Sequence, residues 1–190
     1  MIPDSIRRFI EIFSTLPSIG PRQATRLAFF LISLGKGSLA EISRAIDGLK
    51  ELNHCPNRFF VCNNKCLICS DQNRHQDVVA IIEKETDLIS LEKTKKYNGV
   101  YLVLGELDKS GILNPEQKMK LNYLKSKKPI SEIILAINPT TYGDLNASAI
   151  ARELSSVTKK ITRLGRGIPT GGEIEFADED TLSGALDNRN

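Results

Sequence analysis

What this chain of 190 residues lacks removes several classes of protein at once. No apolar run approaches the ~20 residues that a membrane-spanning helix needs. The opening stretch MIPDSIRRFIEIF is charged and amphipathic, without the continuous apolar segment of a secretory signal. Both point to a cytoplasmic protein with no membrane partner. Only two histidines, His54 and His75, are present, so a Ser-His-Asp hydrolase is improbable. The Gly-rich run Gly165 to Gly172 lacks the G-x-x-x-x-G-K-[ST] order of a phosphate loop. No internal repeat and no low-complexity linker interrupts the chain. An apolar fraction of 41% is enough for a globular core.

Cysteine is also scarce, but its placement is informative. All four cysteines, Cys55, Cys62, Cys66 and Cys69, fall in one window, HCPNRFFVCNNKCLICSD. Thiols gathered this tightly in an intracellular chain suit a zinc cage. Cys66-Leu67-Ile68-Cys69 is a C-x-x-C half-site, in which two thiolates grip one tetrahedral ion from a tight turn. Cys55 and Cys62 have a less usual spacing. Two disulfides or four unpaired thiols are the alternatives. Disulfides need an oxidising compartment. His54 and His75 flank the window as spare ligands or ordinary surface histidines. The segment is too short for a core of its own, and a metal would supply the missing stability.

The net charge of +3 is mild, but its distribution is uneven. Residues 1–50 carry seven basic and four acidic side chains, Lys118 to Lys128 holds five lysines, and Lys159, Lys160, Arg163 and Arg166 follow. The tail from Glu173 is acidic. Such a pattern suits contact with a polyanion and packing against further copies of the chain. Taken singly, each patch also reads as a solvated face.

Hydrophobic periodicity predicts helices over residues 3–15, after the turn that ends at Pro21 to a stop at Gly35 and Gly37, and from Ser38 to Leu52. After Asp77 the period changes. Strands are expected at 78–83, 99–105, 132–138 and 159–164, alternating with helices at 86–95, 115–127 and 144–156. This alternation predicts a parallel α/β sheet. A short strand at Glu173–Phe176 and a terminal helix from Asp178 complete the expected architecture.

Two regions offer chemistry. Leu16 to Ala24 is a tight turn between short helices, whose N–H groups can hold a phosphate. Arg22 and Arg26 lie one helical turn apart and could pair with neighbouring phosphates without regard to sequence. An ordinary helical hairpin is the plainer alternative. Glu83 ends the first α/β strand, where ligands of open sheets gather, and Asp87 is one turn further on. Two carboxylates there could bind Mg²⁺. Beyond the third strand only Asp144 is acidic, in an expected helix N-cap position. A catalytic metal site therefore looks incomplete, and structural carboxylates are the better reading.

Taken in order, these pieces resemble the RecR family of bacterial recombination mediators over essentially the whole chain. LPSIGPRQATRLAFFL is similar to the family's helix-hairpin-helix, the segment ending CLICSD to its zinc finger, and VVAIIEKETDL to the start of its Toprim domain. AINPTTYGD is similar to the run after that domain's third strand. TRLGRGIPTGGEIEFADEDTLSGAL is similar to the C-terminal signature. The resemblance implies an α+β protein in several parts: a helical hairpin region (1–53), a four-cysteine zinc finger (54–72), a Toprim domain (77–165) and a C-terminal loop, strand and helix (166–190). It implies a DNA-binding scaffold, not an enzyme, that forms a dimeric or tetrameric ring or clamp. Such a scaffold binds double- and single-stranded DNA. It acts with RecO, and in many bacteria RecF, to load RecA on single-stranded DNA coated by single-strand-binding protein. Arg22 and Arg26 match DNA-contacting positions. Glu83 and Asp87 match the acidic positions associated with the RecO contact. One structural zinc per chain is implied. A Mg²⁺-dependent Toprim nuclease or topoisomerase-like enzyme using Glu83 is the alternative.

Three departures from the family pattern stand out. Ser18 replaces a glycine of the hairpin and fits only if its backbone avoids positive φ. Tyr142 occupies a glutamate position. Arg58 occupies an expected zinc-ligand position, so the expectation is a rewired site of Cys55, Cys62, Cys66 and Cys69.

Overall fold

Three helices build the first of two units into which the chain divides, Met1–Leu52 and Asn53–Asn190. The computed structural model describes residues 2–127 and 129–189; Lys128, the last of the lysine run, lies outside them. Helix α1 (Asp4–Phe13) stacks the rings of Phe9 and Phe13 with centroids 3.8 Å apart. Helix α2 (Pro21–Ser33) opens on proline, whose missing N–H costs nothing at a first helical position. It buries Ala24, Ala28 and Leu31. Helix α3 (Gly35–Gly48) begins earlier than Ser38. Gly35 does stop α2, because its φ of +82° is left-handed. Gly37 does not; it lies inside the first turn of α3. A single tighter turn, Leu49–Glu51, takes the place of the expected last turn of that helix.

The second unit opens with a two-residue hairpin, β1 (Asn53–His54) against β2 (Val61–Cys62), and a single turn of helix, α4 (Leu67–Ser70). A parallel sheet follows, built from β3 (His75–Ile82), β4 (Gly99–Val103), β5 (Glu132–Ala136) and β6 (Ile161–Arg163) in the order β4-β3-β5-β6. Every residue of β4 is buried, as expected of a parallel strand covered on both faces. The connecting helices are α5 (Glu85–Lys93), α6 (Pro115–Lys125) and α7 (Thr141–Leu154). β3 starts three residues before the predicted position because His75 pairs with Gly99 ahead of an irregularity at Val79.

One polar network ties these pieces together. Arg74, just before β3, grips Glu92 of α5 at 2.6 Å, and Glu92 accepts the hydroxyl of fully buried Tyr101 on β4 at 2.6 Å. The hydrogen bond from Arg74 holds the Glu92 carboxyl below its usual range against the opposing effect of burial.

The C-terminal segment differs from expectation at one point. Residues Ile174–Phe176 form a tight helical turn, not a strand. A strand needs a neighbour for its N–H and C=O groups, and none of the described segments pairs with this one. Helix α8 (Glu179–Asp187) starts as predicted, with Asp178 accepting the Thr181 N–H at 2.9 Å.

Gly143, in the first turn of α7, shows how tightly the end of β5 is packed. A Cβ there would fall inside the van der Waals envelope of the Asn138 carbonyl oxygen. Gly143→Ala should therefore destabilise the second unit by about 2 kcal/mol or more, measured by urea unfolding.

Candidate metal centre and carboxylate edge

The metal centre is assembled by two tight turns. Between β1 and β2 the chain reverses with Cys55 N–H bonded to Phe60 O and Phe59 N–H bonded to Cys55 O, both at 2.8 Å. Phe59 takes a left-handed φ of 57° to complete the turn. Cys66 stands at the start of α4 and Cys69 one turn on. The sulfurs of Cys55, Cys66 and Cys69 all lie within 4.8 Å of one another, and Cys55 and Cys69 are 3.6 Å apart. A disulfide would bring two sulfurs to ~2 Å. Four thiolates around a zinc ion at ~2.3 Å sit about 3.8 Å apart, so this donor set fits that ion.

Cys62 is not one of the three converging sulfurs. It does border the same recess of about 480 Å³, together with His54. Arg58 is turned to other tasks: its guanidinium donates to Gln76 at 3.0 Å and its carbonyl accepts from Val103 N–H at 3.1 Å. Burial pushes the Cys69 thiol up to about 12, with Cys55 and Cys66 adding to the shift. Burial also raises Cys62, reinforced by charge on Cys66 and Cys55. At Cys55 burial acts upward too, but the backbone N–H groups of Asn57 and Arg58 and the neighbouring thiols hold it below the ordinary value.

The carboxyl end of the sheet carries the second candidate site. Glu83, directly after β3, accepts Leu107 N–H on one oxygen and the Asn138 side-chain amide on the other, each at 3.2 Å. Asp87 accepts Lys84 N–H at 2.9 Å and so closes the start of α5. Among the described residues the cysteines are the one grouping of three or more ligand side chains close enough to hold a metal, and Glu83 and Asp87 belong to no such grouping.

Two acids at this edge were not singled out from sequence. Glu106 and Asp108 follow β4 in the run Gly105-Glu106-Leu107-Asp108, and the signal was an acid at alternate positions just beyond a buried strand. Their loop is held from beneath. Lys120, Gln117 and Asn146 are all buried, and they donate in turn to the carbonyls of Leu104 (3.4 Å), Glu106 (2.8 Å) and Asp108 (2.8 Å).

Asp144 is not an N-cap. Thr140 caps α7 by accepting Gly143 N–H at 3.0 Å, because the helix begins three residues before the predicted Asp144. Asp144 instead accepts on both carboxylate oxygens from a single nitrogen, Nη2, of Arg166, each at 2.7 Å, and Arg163 joins it. Arg166 also pairs with Asp180 of α8 at 3.3 Å. The carboxylate thus anchors the C-terminal segment.

On the first unit, Arg22 and Arg26 are exposed on one face of α2. Ser18, in the preceding turn, has a φ of 63°, so the condition that its backbone avoid the left-handed region is not met. This conformation costs a non-glycine residue on the order of 1 kcal/mol.

A helical hairpin unit, a thiolate finger and a four-stranded parallel sheet with glutamate at its carboxyl end define a Toprim protein in several parts. Residues 77–165 match the Toprim domain model, 6–49 the RecR helix-hairpin-helix and 167–190 the RecR C-terminal region. Recombination protein RecR of Herpetosiphon aurantiacus is 35% identical over 98% of this chain and 94% of its own length. The chain belongs to the RecR family of recombination-repair proteins.

The Asp144 anchor has a pH signature. Hydrogen bonds from Arg166 and then Arg163 hold its carboxyl below the usual range. Its contribution is therefore complete above the ordinary value of ~4 and is lost as pH falls through the lowered one. Hydrogen-exchange protection of residues 179–187, taken relative to the intrinsic rate at each pH, should hold from about pH 5 upward and fall in acid. Asp144→Asn should lower this protection at neutral pH as well.

Proposed function

We propose that this chain is a DNA-binding recombination mediator without catalytic turnover. It self-associates into a ring or clamp and acts with RecO, and with RecF where that protein is present. The assembly helps load RecA onto single-stranded DNA covered by single-strand-binding protein, in the cytoplasm on the nucleoid. The observation that carries this reading is the match of the chain, nearly end to end, to a recombination protein of the family.

Arg22 and Arg26 are the DNA contacts, reading phosphate and not sequence. Among the described residues neither is engaged in an ion pair, which leaves both guanidinium groups available. Glu83 and Asp87 form the RecO side of the Toprim part, residues 77–165. Their oxygens accept protein N–H groups, which favours a docking role over the nuclease alternative. Residues 1–53 and 166–190 provide self-association. In support, Phe29, Phe30, Ile46 and Leu49 in the first region and Ile174, Phe176 and Leu186 in the second are exposed apolar side chains.

In residues 54–72, Cys55, Cys66 and Cys69 hold one structural zinc, and Cys62, which borders the same recess, completes the shell. Zinc supplies a cross-link to a segment with no core of its own.

Arg22→Ala with Arg26→Ala should weaken binding to any DNA sequence and lower the slope of log affinity against log salt by about 2. Unchanged affinity at low salt would remove the hairpin as the DNA surface. The same supercoiled DNA should survive incubation with Mg²⁺; cleavage that disappears in Glu83→Ala would establish the nuclease instead. Native mass spectrometry with metal analysis should show one zinc per chain, lost in both Cys66→Ser and Cys62→Ser. Full occupancy in Cys62→Ser alone would hand the fourth position to His54 or water.

A further inference from the structure

We propose that the thiolate centre is coupled to the loop after β4, so that loading of the centre with zinc holds that loop in order. Phe59 of the finger and Lys120 of α6 are the positioning residues that carry the coupling. The coupling rests on the reading of the cysteines as a zinc site. It adds to that reading a control over a distant edge of the second unit.

The first link is the turn between β1 and β2. Cys55 contributes one of the three converging sulfurs, and its backbone also closes the turn. Its carbonyl accepts Arg58 N–H at 3.3 Å and Phe59 N–H at 2.8 Å, and its own N–H donates to Phe60 O at 2.8 Å. Phe59 is thereby held at a φ of 57°. A phenylalanine keeps that conformation only where its surroundings impose it. Fixing the Cys55 sulfur therefore fixes the backbone that presents the Phe59 ring.

The second link is what the turn touches. β4 stands at one edge of the parallel sheet, and Val103 at its end is 3% exposed, so its N–H must find a protein acceptor. Arg58 O supplies one at 3.1 Å. The Phe59 ring meets Tyr123 of α6 edge to face, with centroids 5.8 Å apart, and Lys120 Nζ lies 5.3 Å from the Phe59 ring centre. Lys120 is 8% exposed, and a buried ammonium depends on every partner within reach. Its other partners are the Glu116 carboxylate at 2.8 Å and the Leu104 carbonyl at 3.4 Å. The aromatic face thus helps to hold the cation that holds Leu104. Beyond Leu104 the chain is tied to Glu83: Gly105 N–H donates to its carbonyl at 3.1 Å and Leu107 N–H to its carboxylate at 3.2 Å. Loss of order in the turn removes a partner from Val103 and from Lys120 together, and the loop loosens at both points.

Amide hydrogen exchange of the full chain, read residue by residue by NMR and taken relative to intrinsic rates, tests this. The chain is compared as the zinc-loaded protein and after removal of the metal by a chelator. Removal should lower protection at Gly105 and Leu107 by about tenfold, although neither amide donates to the finger, and leave Ile134 and Leu135 of β5 unchanged. Phe59→Ala should lower the same two amides with one zinc per chain still bound, and Phe59→Tyr, which keeps the ring, should restore them. Unchanged protection of Gly105 and Leu107 on removal of zinc would overturn the coupling and leave the zinc site standing. Unchanged protection in Phe59→Ala would overturn the assigned route. Equal loss at Ile134 and Leu135 would make the ion a condition of the whole fold and overturn the coupling too. Absence of zinc from protein purified from zinc-supplemented cells would overturn the zinc reading and the coupling with it.

Discussion

The carboxyl end of β4 leaves the core with its backbone still partly enclosed, and the carbonyls of Leu104, Glu106 and Asp108 must find donors there. Lys120, Gln117 and Asn146 supply them, and these are the buried polar side chains among the described residues. Each would be costly to bury without such a partner, and each carbonyl would be costly without such a donor. The two needs cancel. The result is a fixed loop at the end of the sheet, further tied by the Glu83 carboxylate at Leu107. The shape of the carboxyl edge of the Toprim part follows from this constraint. Acids project from a backbone that is held in place from the interior.

The finger is held differently. It has short β1 and β2 strands, a single turn of helix and few buried side chains, so hydrophobic packing contributes little of its own order. Two tight turns nevertheless bring three sulfurs within bonding range of a common ion. Arg58 belongs to the structural framework through Gln76 and Val103, and so acts as a strut between the finger and the sheet.

Much of the architecture is legible in the sequence because it rests on periodicity. β4 reads as a continuous apolar run and is buried throughout; α1 and α2 read as stripes and carry them. The departures share one cause. Local preference alone misplaces Asp144, Glu173–Phe176 and Ser18, and at each place the surrounding fold decides otherwise. Asp144 is taken by Arg163 and Arg166, some twenty residues on. Residues 174–176 find no neighbouring strand among the described segments. Ser18 accepts a left-handed backbone in the turn that joins α1 to α2.

By itself the sequence determined most of the helices and all four strands of the parallel sheet, the family to which they belong, and the presence of a thiol cluster and of acids beyond the strands. Those properties depend on near neighbours and on side-chain chemistry. Tertiary structure alone decided that Cys62 stands apart from the three converging thiols. It also decided that Asp144 is an anchor, and that Glu106 and Asp108 share one supported edge with Glu83. Such groupings depend on hydrogen bonds and packing between residues far apart in the chain, and no local pattern encodes them.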